Sequence, residues 1–194
     1  WIIKTKVLPD LRKATRKLTT ENVPAKLLTR AIQQANEMLL RRGQAKGSDL
    51  GSTVTTALVI GDMATIASVG DSRTYLLRAG QLGQITQDHS LVARLVDAEV
   101  IKPEEVRTHP QRNQIYRCLG HKPEVKVDTF TVQLRRADRL ILCSDGLWEM
   151  VLDPEIQRLV EQSRTPQLAC DALVEAANRA GGEDNIAVIV VEME

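Results

Sequence analysis

The stretch that most limits what this chain can fold into is "TVTTALVIGDMATIASVGDSRTYLLRAGQLGQIT", residues 53–86. It is rich in β-branched and apolar side chains, which suit a pleated surface better than a helix. Gly61-Asp62, Gly70-Asp71 and Ala79-Gly80 cut it at short intervals. Such punctuation predicts consecutive antiparallel hairpins. Gly80 to Gly83 is expected to turn the chain into a short strand over 84–86.

Helical patterns lie on both sides of this run. Ile3, Val7, Leu8, Leu11 and Leu18 are spaced for a helix over 2–18. Asn22 and Pro24 mark the start of a second, with Leu27, Leu28, Ala31, Ile32, Ala35 and Leu39 as its buried stripe and Gly43 as its end. Gly47 to Gly51 reads as a linker. Past the strands, Ser90 is placed to cap a short helix through Val96, Pro103 starts another, and His109-Pro110 breaks it. Residues 87–123 are therefore expected to pass over the sheet rather than join it. Strands return near 125–132 and 140–143. Asp153-Pro154 and Thr165-Pro166 each look like an N-cap followed by a first-turn proline. The helix from Pro166 carries Leu168, Ala169, Leu173 and Ala177 and stops at Gly181-Gly182, before a last strand over 186–191. Helices flanking a run of hairpins give an α+β class with antiparallel sheets.

Composition removes several functions. The 194 residues carry a net charge of +1, which recommends neither nucleic acid nor an anionic membrane as partner. The basic cluster Arg12, Lys13, Arg16 and Lys17 has helical spacing and reads as a solvated helix face. No apolar run approaches the roughly 18 residues of a membrane span. Cys118, Cys143 and Cys170 are odd in number and lack C-x-x-C spacing, which argues for a reducing, cytoplasmic setting and against a zinc site. Cys143 sits in an apolar strand as a small core residue. The opening at Trp1, inside a helical pattern, suggests a piece of a longer polypeptide.

The chemistry rests on acids at strand ends. In "LILCSDGLWEM", residues 140–150, an apolar strand stops at Ser144-Asp145-Gly146. In "GGEDNIAVIVV", residues 181–191, Asp184 stands just before another strand. If those strands are antiparallel neighbours, the two carboxylates share one sheet edge, and Asp71, at a predicted hairpin tip, is able to join them. Flanking glycines let a ligand approach the backbone closely. Grouped carboxylates with little histidine or thiol nearby suit a hard cation such as Mg²⁺ or Mn²⁺. Each piece alone has a plainer reading: Asp-Gly after a strand is usually a turn, Gly-Asp-Ser-Arg is good hairpin chemistry, and His89 in "TQDHS" reads as an exposed loop histidine.

Taken in order, "GSTVTTALV", "VGDSRTYLL", "TQDHS", "HPQRNQIYRCLG", "LILCSDGLWEM" and "GGEDNIAVIVV" resemble the metal-dependent Ser/Thr protein phosphatases of type 2C, closest to the bacterial branch. The resemblance covers about Gly51 to Val191. It implies an antiparallel β-sandwich flanked by helices in α-β-β-α layers, with two Mn²⁺ or Mg²⁺ ions and a possible third at one sandwich edge. It implies hydrolysis of phosphoserine or phosphothreonine in protein substrates by a metal-bridging water; the protein itself is expected to be a monomer. Asp145 and Asp184 then correspond to metal ligands, Asp71 to a ligand of a weaker third ion, and Glu149 to a further acidic ligand of that ion. Ser144, Gly146 and Asn185 flank these positions. Residues 90–112 correspond to a flap that influences substrate access, and Arg73 looks structural. The family's Arg-x-x-Asn-Glu/Gln-Asp and Asp-Gly-x-Gly-Gly segments have no counterpart here. The expectation is therefore one phosphatase-type domain over 1–194, N-terminally incomplete. The competing expectation is a catalytically dead relative that binds phosphoproteins or another partner.

Overall fold

Two antiparallel sheets lie against each other in the computed structural model, which describes residues 23–194. The helix expected over 2–18 and its basic face lie outside the described residues. One sheet has the order β1 (Val54–Ile60), β2 (Met63–Val69), β5 (Asp128–Gln133). The other has the order β4 (Gln81–Gln84), β3 (Arg73–Arg78), β6 (Arg139–Cys143), β7 (Val188–Glu192). Helix α1 (Val23–Lys46) covers the first sheet, and α4 (Asp153–Gln162) and α5 (Pro166–Arg179) cover the second. The layers are α-β-β-α, as the resemblance implies.

The two-residue period of a strand builds these layers directly. Leu140 and Leu142 of β6 face the first sheet and pack with Ala64, Ile66, Phe130 and Val132. Ile141 and Cys143 point the other way, into Ile156, Val160, Ala169 and Leu173 of the covering helices. Burying each such large apolar side chain contributes about 1.5–3 kcal/mol. A slip of one residue would exchange the two faces, so the register Arg139↔Glu192 through Cys143↔Val188 is strongly specified. On the outside of the first sheet, Leu28 and Ile32 of α1 meet Ala67 and Val69 of β2. Asn36, fully buried on the same helix, gives its amide N–H to the Lys122 and Pro123 carbonyls and accepts from the Gly120 N–H. That polar clamp holds the segment that leads into β5.

The structure corrects several local expectations. Helix α1 passes through Gly43 and ends at Lys46. Gly47, at φ +60°, is the left-handed stop, with Ser48 N–H on the Gly43 carbonyl and Gly47 N–H on the Gln44 carbonyl. Gly70-Asp71 is no hairpin: β2 and β3 belong to different sheets, and this pair carries the chain from one to the other. Strand β4 occupies 81–84 rather than 84–86, because Ala79 and Gly80 both have positive φ and close a two-residue turn with Arg78 opposite Gln81. Leu152, not Asp153, occupies the N-cap position of α4, and no side chain caps it. Leu168 lies on the exposed side of α5. The Ser90 and Thr165 caps form as expected, each side-chain oxygen accepting a backbone N–H three residues on.

Residues 87–123 do stay outside the sheets as strands. They contain α2 (Leu91–Asp97) and a 3₁₀ turn over Pro103–Thr108. The excursion is tied at its neck by an isolated bridge between Ser90 and Ile115. Cys118, Cys143 and Cys170 are all free thiols, and Cys143 is buried in the core. No helix among the described residues is long and apolar enough to cross a membrane.

Candidate metal centre

Strand β6 ends at Cys143, and Ser144 extends its pairing with the loop before β7. Ser144 N–H donates to the Ala187 carbonyl at 3.0 Å, and Ala187 N–H donates to Ser144 Oγ at 3.0 Å. Ser144 Oγ in turn donates to the Asn185 carbonyl at 3.1 Å. These bonds bring Asp145 and the Asp184–Asn185 loop to one sheet edge, which is the adjacency expected from the strand ends. Asp145 opens the one-turn helix α3 (Asp145–Trp148), and its Oδ1 accepts the Gly146 N–H at 2.9 Å. Asp184 Oδ1 likewise accepts the Asn185 N–H at 2.6 Å. Gly146 lets the two segments touch: a Cβ placed there would stand 2.5 Å from the Asn185 carbonyl oxygen.

Electrostatics draws the other acids in. Burial pushes the Asp71 carboxyl up to about 6, and the charge of Asp145, then those of Asp88 and Glu149, add to the rise. Burial also raises Asp145, with Asp184 contributing repulsion. Glu149 is raised by burial and by Asp145, against a lowering contribution from Arg112. None of Asp71, Asp145, Asp184 and Glu149 has an ion-pair partner among the described residues; the salt bridge beside them joins Arg112 to Glu183 at 3.3 Å. Among the described residues, no three acidic, histidine or cysteine side chains form a ready-made metal cage. The donor set nonetheless fits a hard divalent cation. Carboxylates that repel one another are stabilised by positive charge, and magnesium-type sites take much of their coordination from solvent and substrate oxygens.

Two residues read differently from expectation or not read at all explain how the edge is held. His89 is not an exposed loop histidine; it is 1% exposed. Its Nδ1 accepts the Gly70 N–H at 2.9 Å, which puts the ring proton on Nε2, 2.9 Å from Asp128 Oδ2. Arg117 meets the other Asp128 oxygen at 2.8 Å. His89 thus fastens the neck of the 90–112 excursion to the crossover beside Asp71. Arg112 carried no role in the motif reading, yet it is the cation that faces Glu149 and Glu183. A basic residue in an otherwise loop-forming motif was the only signal. Arg73 is structural as expected, with Nε and Nη2 on Asp88 and Nη1 on the Tyr75 hydroxyl.

The histidine fastening has a pH signature. Burial holds the His89 imidazole below its ordinary value, the Arg117 charge adding to this against the Asp128 hydrogen bond. The wild type therefore loses stability as pH falls from about 6.5 toward the folded-state value, because the unfolded chain takes up the proton first. His89→Ala has nothing to titrate there. It is expected to cost about 3 kcal/mol near neutrality, from lost buried hydrogen bonds and a cavity. That gap should narrow between about pH 7.5 and about pH 5.5 in urea denaturation. Asp128 is lowered, because the hydrogen bonds from His89 and Arg117 outweigh burial, so its contribution is lost only below about pH 4, outside this window. A gap that stays constant or widens contradicts the assignment.

Comparison with known proteins gives one consistent answer. Residues 8–194 match the family described as Stage II sporulation protein E (SpoIIE). "Serine/threonine phosphatase stp" of Listeria monocytogenes serotype 4b is 38% identical over 191 residues, which is 97% of this chain and 76% of that protein. The crystal structure of serine/threonine phosphatase Stp1 from Staphylococcus aureus superposes with a TM-score of 0.86 at 37% identity, over 90% of this chain and 70% of that one. The catalytic domain of the serine threonine protein phosphatase PstP, solved with 2 manganese ions, gives a TM-score of 0.80 at 33% identity over 97% of this chain and 79% of that one.

Proposed function

The chain belongs to the metal-dependent serine/threonine protein phosphatases, and we propose that Asp145 and Asp184 hold its principal metal centre while Asp71 and Glu149 serve a weaker third cation. The observation that carries this reading is the pairing of Ser144 with the 185–187 loop, which brings Asp145 and Asp184 to one edge, with Asp71 and Glu149 close enough to Asp145 to feel its charge and none of the four in an ion pair among the described residues. The activity is hydrolysis of phosphoserine and phosphothreonine in protein substrates. The reading as a dead binding module is not favoured, since the relatives are named phosphatases.

Mn²⁺ or Mg²⁺ suits the all-carboxylate set, with two ions at the main centre. When bound, such ions supply positive charge for phosphoryl oxygens and lower the pKa of water. The protein's own part is orientation. Gly146 N–H holds one oxygen of Asp145 and Asn185 N–H one oxygen of Asp184, which fixes each carboxylate against its own backbone. Residues 90–112 are proposed as the flap, closed toward the edge by Arg112 on Glu183 and anchored below by Arg107 on the Val151 carbonyl at 3.0 Å. We further place residues 1–194 as one phosphatase-type domain, N-terminally incomplete, monomeric and cytoplasmic, in keeping with its three free cysteines.

The test is phosphate release from phosphoserine and phosphothreonine peptides by the full-length protein. Activity should vanish in excess chelator and return with Mn²⁺ or Mg²⁺. Equal turnover by the chelated protein would overturn the reading.

A further inference from the structure

Trp148 closes the same one-turn helix that Asp145 opens, and it is 2% exposed. An indole carries a single donor and no acceptor, so a buried ring needs a partner for its N–H. Here Nε1–H donates to the backbone carbonyl of Asp71 at 3.0 Å, across 77 residues of chain. The ring itself is clamped. The Arg73 guanidinium carbon lies 3.6 Å from its centroid, and Arg73 is fixed by Asp88 at 2.7 Å and by the Tyr75 hydroxyl at 2.9 Å. Stacking sets the plane of the indole, and the hydrogen bond then sets where the Asp71 backbone sits.

Among the described residues no other side chain bonds to Asp71, and its carboxyl otherwise takes a backbone hydrogen bond within its own residue. No side-chain hydrogen bond acts on its carboxyl. Its neighbours are held through Gly70 on His89 and through the Ser72 hydroxyl on Thr53 at 2.8 Å. The three-residue span from Asp145 to Trp148 is one rigid helical turn, rising about 4.5 Å. We propose that Trp148 is a positioning residue for Asp71, fixing that carboxylate relative to Asp145 by tying both to one short helix. The inference rests on the assignment of Asp71 to the weaker third cation.

Trp148→Phe keeps an aromatic face for Arg73 and deletes the donor together with one ring of the buried indole, leaving the Asp71 carbonyl unpaired. In calorimetric Mn²⁺ titrations of the full-length protein, the weaker binding step should lose affinity by roughly fivefold to tenfold, the worth of one buried hydrogen bond. The tighter step, assigned to Asp145 and Asp184, should move by less than about twofold on the same scale. Asp71→Asn should weaken the same step, and adding Trp148→Phe to it should change nothing further. Arg73→Lys, which keeps the charge but loses the flat stacking face, should shift the weaker step in the same direction. Either role lowers the melting temperature, but a general packing role would instead weaken both steps together and add fully to Asp71→Asn. That outcome, or a wild-type titration from Trp148→Phe while Asp71→Asn is weakened, overturns the positioning role. If Asp71→Asn itself titrates like wild type, the cation assignment of Asp71 fails, and the inference falls with it for that separate reason.

Discussion

Asp145→Asn in the full-length protein is expected to lower phosphopeptide turnover on the order of a hundredfold or more. Substitutions of groups that only orient metal ligands already cost about tenfold to a hundredfold, so loss of a charged ligand should cost at least as much. The substitution preserves size and shape, and the amide oxygen still accepts the Gly146 N–H, so the local turn is expected to survive. What disappears is one negative charge at the edge where Asp184, Asp71 and Glu149 meet it. Stability in the absence of metal should hold or rise slightly, since one source of repulsion among neighbouring carboxyls is gone. The combination is diagnostic: activity falls while the melting temperature does not. Wild-type turnover across a Mn²⁺ titration would return Asp145 to the status of a corner residue.

Gly146→Ala tests the same edge from the backbone. Local propensity alone predicts a benefit, because alanine is better than glycine in a helix by about 1 kcal/mol. The tertiary contact predicts the opposite, since the added Cβ would stand 2.5 Å from the Asn185 carbonyl oxygen and 3.1 Å from its carbon. Backbone cannot retreat cheaply here. Ser144 ties the same loop through three hydrogen bonds, so relief must come from moving α3 or residues 184–185. Both carry candidate ligands. Misplacement of a reacting constellation by about 1 Å costs roughly a hundredfold, and a shift of a few tenths should cost about tenfold. The expected result is a drop of that size in kcat/KM with weaker Mn²⁺ binding by calorimetry. An alanine variant that is more stable and fully active would show that the close approach at Gly146 is immaterial.

The sequence by itself determined those features that act over a few residues or through strict periodicity. Ser90 and Thr165 cap their helices because each oxygen needs only a backbone N–H three residues away. The unbroken apolar run Leu140–Cys143 marked a strand, which the structure buries on both faces, and the acids at strand ends marked a candidate functional edge. The ordered motifs then gave the family and the fold. Turn residues, however, report that the chain bends and not which sheet it joins, so Gly70-Asp71 looked like a hairpin and proved to be a crossover between sheets. His89 looked like a loop residue because its partner Asp128 is 39 positions away, and a polar side chain is buried only when such a partner meets it. The bond from Trp148 to Asp71 and the contact of Gly146 with Asn185 are likewise invisible to any local pattern. Those decisions belong to tertiary structure, since hydrogen-bond satisfaction and close packing are set by what folding brings within about 3–4 Å, whatever the separation along the chain.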